Sequence, residues 1–196
     1  MEQYRLSDIA DIQSGLVLSR KAADDISNKF SYKRLTLRSI TEDGLIDPTS
    51  IENYDARDMI EPHQLTKEKD IIIRLYSPVR ATVIKKEFVD LVVPSQLAII
   101  RLKENSPFIP GYLCVYLSNE KFMKSVIEDA GMSAQKIIKV GSIAKIEIPQ
   151  IPIEKQKIAS LIYEKQLDII DLYNQIIDKE VARTNAIIKD IIGGKI

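Results

Sequence analysis

Three features of this 196-residue sequence predict an α+β fold. β-branched runs cluster between residues 32 and 102, apolar residues take up helical spacing from Pro110 onward, and neither proline nor glycine interrupts 153–192. The architecture expected is a globular domain over 1–150, with a mixed, mainly antiparallel β-sheet and flanking helices. One long C-terminal α-helix over 151–196 follows it.

The opening YRLSDIADIQSG places Leu6 to Ile12 as a short helical turn or an entry into a strand, closing on Gly15. YKRLTLRSI, residues 32 to 40, alternates polar and apolar at period two and reads as a half-buried strand. EDGLIDPTSIENYDA reads as a turn-rich connection punctuated by Gly44 and Pro48. DIIIRLY, RATVIKK and VVPSQLAIIRL are three β-rich runs separated by Pro78 and KEFVD. Pro94 inside the third run calls for an edge, a bulge or a late start, because proline cannot donate to a ladder. PGYLCVYLSNEKFMKSVIEDAG then spaces its apolar residues as one or two amphipathic helices ending at Gly131.

Pro149 and Pro152 interrupt regular structure before the last segment, and that segment reads as a helix of about 40 residues and roughly 60 Å. Its apolar residues include Ile158, Leu161, Ile162, Ile169, Tyr173, Ile176 and Ile177. The stripe is broader than a strict coiled-coil seam, and Arg183 and Asp190 break simple heptads. A face so wide calls for a partner helix.

Lysine plus arginine and aspartate plus glutamate both number 28, so the formal net charge is zero. That balance argues against a strongly basic nucleic-acid binder, yet the charges are segregated. Residues 19–38 hold Arg20, Lys21, Lys29, Lys33, Arg34 and Arg38 against Asp24 and Asp25. Residues 71–103 hold Arg74, Arg80, Lys85, Lys86, Arg101 and Lys103 against Glu87 and Asp90, while 42–70 are acidic. The lone cysteine, Cys114, lies in an apolar run and is expected to be buried; one cysteine makes neither a disulfide nor a thiolate metal cluster. No run is long and apolar enough to span a bilayer and no signal peptide is evident, so a cytoplasmic location and no membrane partner are expected.

Signatures of catalysis are missing. The seven glycines build no phosphate-cradling loop, and the single histidine, His63, stands in a turn without motif context. The acid-x-lysine triplet of many metal nucleases does not occur, nor does an N-P-P-(Y/F) loop of base methyltransferases. Neither catalytic residues nor a metal site are expected.

The order of YRLSDIADIQSG, KDIIIRLYSPVRATVI, VVPSQLAIIRLK and FIPGYLCVYLSNEKFMKSVIEDAGMSAQKIIKVGSIAKIEIP, followed by IPIEKQKIASLI, resembles one half of a type I restriction-modification DNA specificity (S) subunit. IPIEKQKIASLI looks like that family's junction between target-recognition domain and spacer helix, with Glu154 two residues before Gln156. The C-terminal IIKDIIGGKI resembles the helix-ending sequence, and the likeness covers nearly the whole chain. Family members usually carry two recognition domains and two helices, so the resemblance implies a half-length form.

It further implies a non-catalytic specificity subunit that binds double-stranded DNA and forms a homodimer through antiparallel long helices to read a split palindrome. A type I modification (methyltransferase) subunit, with or without a restriction subunit, would be its partner. No cofactor is expected on this chain; S-adenosylmethionine would be bound by the partner methyltransferase. Expected phosphate contacts are Arg20, Lys21, Lys33 and Lys136, and expected base readers are Arg34, Arg38, Arg74, Tyr76 and Arg80. Gln135 could read adenine, and Ser77 and Ser133 offer hydroxyls on turns. Each residue has a solvated or ion-paired alternative. For the whole protein the alternative is a coiled-coil dimerisation or adaptor protein whose globular domain binds another protein.

Overall fold

A computed structural model describes residues 2–23, 29–129 and 137–193. Nine strands and five α-helices run in the order β1 (Gln3–Arg5), α1 (Leu6–Ile9), β2 (Ala10–Ser14), β3 (Phe30–Arg34), β4 (Glu52–Ala56), β5 (Ile71–Arg74), β6 (Ala81–Val83), β7 (Leu91–Val92), β8 (Leu97–Leu102), α2 (Pro110–Ser118), α3 (Glu120–Asp129), α4 (Val140–Ala144), β9 (Glu147–Pro149) and α5 (Ile153–Ile192). The pairing is mixed and mainly antiparallel, as expected, but it is divided among three sheets. Four strands lie in the order β2-β8-β5-β6, three in the order β4-β3-β7, and β1 pairs with β9. Only β3 with β7 is parallel among these ladders.

β5 and most of β8 in the central sheet are buried on both faces, which explains their runs of apolar residues. Ile71 and Ile73 of β5, with Ala98 and Ile100 of β8, face a core that also contains Leu113, Leu117, Met123, Ile143 and Ile148. The alternate residues Ile72, Leu97 and Ile99 face Leu35, Ile40, Ile84, Leu91 and Val93. A side-chain period of two thus serves two cores from one strand. A third, smaller cluster joins Tyr54, Ala56, Ile60 and Val92.

Four local readings are sharpened or changed. Leu6–Ile12 contains both a helical turn and a strand rather than one of them. The third β-rich run splits into β7 and β8, and β8 starts late, beyond Pro94, one of the alternatives the proline called for. β4 lies inside the segment read as a turn-rich connection; ENYDA carries too few β-branched residues to announce a strand, and pairing with β3 in register Tyr32 to Tyr54 creates it. Conversely, the strand expected over 32–40 stops at Arg34, where Thr36 and Ser39 form a capping box and open a 3₁₀ turn.

The long helix is anchored at its first turns. Pro152 precedes it, its ring fixing the approach, and the side chain of Gln156 is buried to 1% exposure. Its amide Nε2 donates to the carbonyls of Pro107 and Ile151, each at 3.0 Å, and its Oε1 accepts from the Ile109 N–H at 3.0 Å. One side chain therefore satisfies the loop entering α2 and the start of α5 together. Four residues on, Ser160 seats against Gly111; a Cβ at Gly111 would come within 1.8 Å of the Ser160 hydroxyl. Tyr163, one turn further, meets Gly44, whose φ of +90° and whose contact with the tyrosine hydroxyl both require glycine. Burial pushes the Tyr163 phenol up to about 12. Cys114 is buried as expected, its thiol donates to the Ala81 carbonyl at 3.1 Å, and burial raises it to about 12.

Arg80 closes the other side of this junction. Its Nε donates to the Glu42 carbonyl and its Nη1 to the carbonyls of Val79 at 2.8 Å and Ser118 at 3.4 Å, with Glu120 at 3.6 Å. The Ser118 hydroxyl in turn accepts from the Ala81 N–H at 3.0 Å, tying the end of α2 to β6. These bonds hold the loop after Ile40 and the end of α2 on the central sheet.

Gln156→Ala leaves one N–H and two carbonyls without this partner and is expected to lower the unfolding free energy by about 2–4 kcal/mol in urea titration. Arg80→Ala is expected to cost about 1–3 kcal/mol in the same measurement. Arg38→Ala, at an exposed position, is expected to change stability by no more than about 0.5 kcal/mol.

Candidate nucleic-acid interface

The residues expected to touch DNA fall into three places in the fold. Arg20, Lys21 and Lys33 belong with the three-stranded sheet. Arg20 and Lys21 end a 3₁₀ turn, Leu18–Arg20 and its cap, and the Lys21 carbonyl accepts from the Arg57 N–H at 2.9 Å beside the end of β4. Lys33 sits opposite Asn53 in the β3–β4 ladder and is exposed. No side-chain ion pair or hydrogen bond engages Arg20, Lys21 or Lys33 among the described residues. Arg34, on the other face of β3, is held by Glu52.

The second place is the β5–β6 connection. β5 and β6 are antiparallel, the Arg74 N–H donates to the Arg80 carbonyl at 2.9 Å, and Ser77–Pro78 is a cis peptide. Ser77 is exposed on this turn, while Tyr76 is half-buried against the main core and its backbone bridges to Ile137. Arg80 is engaged by the carbonyls already described, so its guanidinium is committed to intramolecular bonds.

The third place is where Arg38 and Arg74 converge. Arg38 lies on the 3₁₀ turn Leu37–Ser39, Arg74 at the end of β5, and both line an open cavity of about 260 Å³ with Leu37, Ile40, Thr41 and Glu42. Arg74 donates from Nη1 to the Ile40 carbonyl at 3.3 Å, while its Nε is sealed from solvent without a hydrogen-bond partner among the described residues. Burial pushes the Arg74 guanidinium down from its ordinary value; Glu42 opposes that shift and Arg80 adds to it. Arg38 and Arg74 are far apart in sequence, and only the packing of the 36–46 segment onto the central sheet joins them.

Ser133, Gln135 and Lys136 lie outside the described residues. Arg101, counted in the basic segment, is internal: its Nε and Nη2 hold both oxygens of Asp70 at 2.8 and 2.7 Å, and Asp70 is 2% exposed. The Asp70 bond raises Arg101 above its ordinary value. Arg101 also lines a larger cavity, about 480 Å³, with Asp11, Gln13 and His63, where Gln13 and Arg101 both donate to the His63 carbonyl. This pair was not legible in the sequence because Asp70 and Arg101 are distant along the chain. A half-buried guanidinium bonded to both oxygens of a buried carboxylate is committed to the fold and not free for DNA.

Along α5, Gln156, Ser160 and Tyr163 turn toward the domain. Ile158, Ile162, Ile169, Tyr173, Ile176, Ile187 and Ile191 share a stripe on the opposite side at 3.6 residues per turn, and all are exposed. Leu161, Leu172 and Ile177 flank it and are exposed as well. The helix therefore has one face docked on the domain and an open apolar face. No described helix is long and apolar enough to cross a membrane.

No family model matches this chain, and no curated protein matches it in sequence. Solved structures do match in fold. The HsdS subunit from Thermoanaerobacter tengcongensis superposes with a TM-score of 0.62 at 11% identity, over 89% of this chain and 44% of that one. A structure of complex assembly and conformational transition of the type I R-M system gives 0.57 at 16% identity, over 92% of this chain and 42% of that one. The type I restriction-modification system S subunit from M. genitalium gives 0.54 at 16% identity, over 91% and 42%. The chain thus spans less than half the length of the proteins it matches. Over that span its fold is like that of these type I restriction-modification S subunits.

Proposed function

We propose that this protein is a DNA sequence-specificity subunit of a type I restriction-modification system. It catalyses nothing itself, pairs with a second copy through α5, and directs a methyltransferase subunit, with or without a nuclease subunit, to a split palindromic site. The observation that carries the reading is the fold match, which covers 89% of this chain. Cations on the three-stranded sheet and at the Arg38–Arg74 cavity, with the exposed Ser77 on the β5–β6 turn, supply contacts to DNA.

A second copy is the occupant that best suits the open stripe of α5. Antiparallel pairing with the two-fold axis between Leu172 and Tyr173 sets Ile169 against Ile176 and Ile158 against Ile187. The same register sets Lys165 against Glu180 and Lys155 against Asp190, and no like charges face each other. A helix of about 60 Å then separates two recognition domains, and a symmetric pair of domains reads a symmetric, divided sequence.

Ile169→Asp with Ile176→Asp places four carboxylates in the paired seam and is expected to weaken dimerisation about 100-fold or more in sedimentation, equivalent to roughly 2.8 kcal/mol. Both positions are exposed in the single chain, so the melting of the globular domain should persist; an unchanged dimer would refute the pairing. Comparing adenine methylation across the host genome with and without the gene tests the function. Loss of one divided palindromic motif is expected, and an unchanged pattern together with no retardation of duplex DNA would move the protein to the adaptor class.

A further inference from the structure

Resting on that DNA-binding reading, we infer that the cavity between Arg38 and Arg74 is a socket for a backbone phosphate. It sets the position of the domain on the duplex, and neither arginine reads a base. Arg74 stands on β5, a strand buried on both faces, and it lines the cavity as a half-buried side chain with its Nε shielded from solvent. One nitrogen is spent on the Ile40 carbonyl at 3.3 Å, and the shielded Nε has no partner among the described residues. Native proteins rarely leave a buried donor unpaired unless something else completes the bond. An anion could complete the Nε bond only after the side chain shifts; on entering the cavity it would first meet Nη2, which makes no hydrogen bond among the described residues.

Shape decides which anion-like group fits. Base edges lie on the floor of a major groove about 8.5 Å deep, so a reader must reach outward from a convex element. An arginine recessed in a concavity cannot follow them there. Phosphates are the outermost, convex features of the duplex, and a recessed guanidinium with an exposed one at the rim accepts them well. Arg38 supplies the rim: its side chain is exposed and makes no ion pair or hydrogen bond among the described residues. Glu42 is the one carboxylate lining the cavity, against two guanidinium groups. Its backbone carbonyl is fixed by Arg80, which keeps the loop, and with it the cavity wall, in place.

The test measures the affinity of the purified full chain for a random-sequence duplex pool over a series of salt concentrations, together with the base preferences recovered from bound DNA. Arg74→Gln and Arg38→Gln are each expected to weaken binding alike across sequences and to reduce the slope of log affinity against log salt by about 1, with preferences unchanged. Glu42→Gln is expected to tighten binding across all sequences, again without altering preferences. Loss of preference at one base position in either arginine variant would overturn the socket and make that arginine a reader, leaving the proposed function standing. Unchanged affinity in both arginine variants would overturn it too. Failure of the unmodified chain to bind any duplex would instead remove the DNA-binding reading on which the socket rests. Because Arg38 is exposed, its variant reports on the socket even if Arg74→Gln destabilises the fold.

Discussion

Much of this structure depends on a single buried amide. The Gln156 side chain bonds the chain entering α2 and the chain entering α5 at once, so the direction of a 40-residue helix is set within its first turn. A lever about 60 Å long turns a small angular error at its root into a large displacement at its tip. Hydrogen bonds suit this task better than apolar contact alone, because three directed bonds define an orientation that a greasy surface leaves loose. Ser160 on Gly111 and Tyr163 on Gly44 extend the same contact for two further turns, each against a residue with no side chain to hold it off.

That junction also reaches the candidate interface. Gly44, which receives Tyr163, belongs to the loop that carries Thr41 and Glu42, and this loop forms one wall of the Arg38–Arg74 cavity. Arg80 pins the loop from the opposite side and pins α2 as well. Helix direction and the placement of the two arginines are consequently parts of one packed assembly, with the central sheet as its base. Neutral overall charge is compatible with such a surface: some cations, such as Arg101, are consumed inside the protein, while others stand open in a few places.

Legibility from sequence followed the range of the interaction. β5, β6 and β8 were readable because burial on both faces demands runs of apolar residues, and α5 because a 3.6-residue apolar period persists over ten turns without a breaker. β4 was not readable, since ENYDA becomes a strand through its partner β3 and not through its own preference. Among the cations, sequence could list Arg80 and Arg38 side by side as readers but could not tell that one is bonded to backbone carbonyls and the other exposed. Hydrogen bonds between residues 38 apart, such as Arg80 to Glu42 and to Ser118, leave no local pattern.

By itself the sequence determined the α+β class, the order of most elements, the long terminal helix with its broad apolar face, and the segregation of charge. All of these are properties of neighbours along the chain, where periodicity and breakers act. Tertiary structure alone decided that the strands divide into three sheets, that Gln156 fastens the helix, and that Arg38 and Arg74 share a cavity while Arg101 is locked to Asp70. Each of these requires segments tens of residues apart to meet. Their energies come from burial and from directed bonds that exist only once the chain has folded.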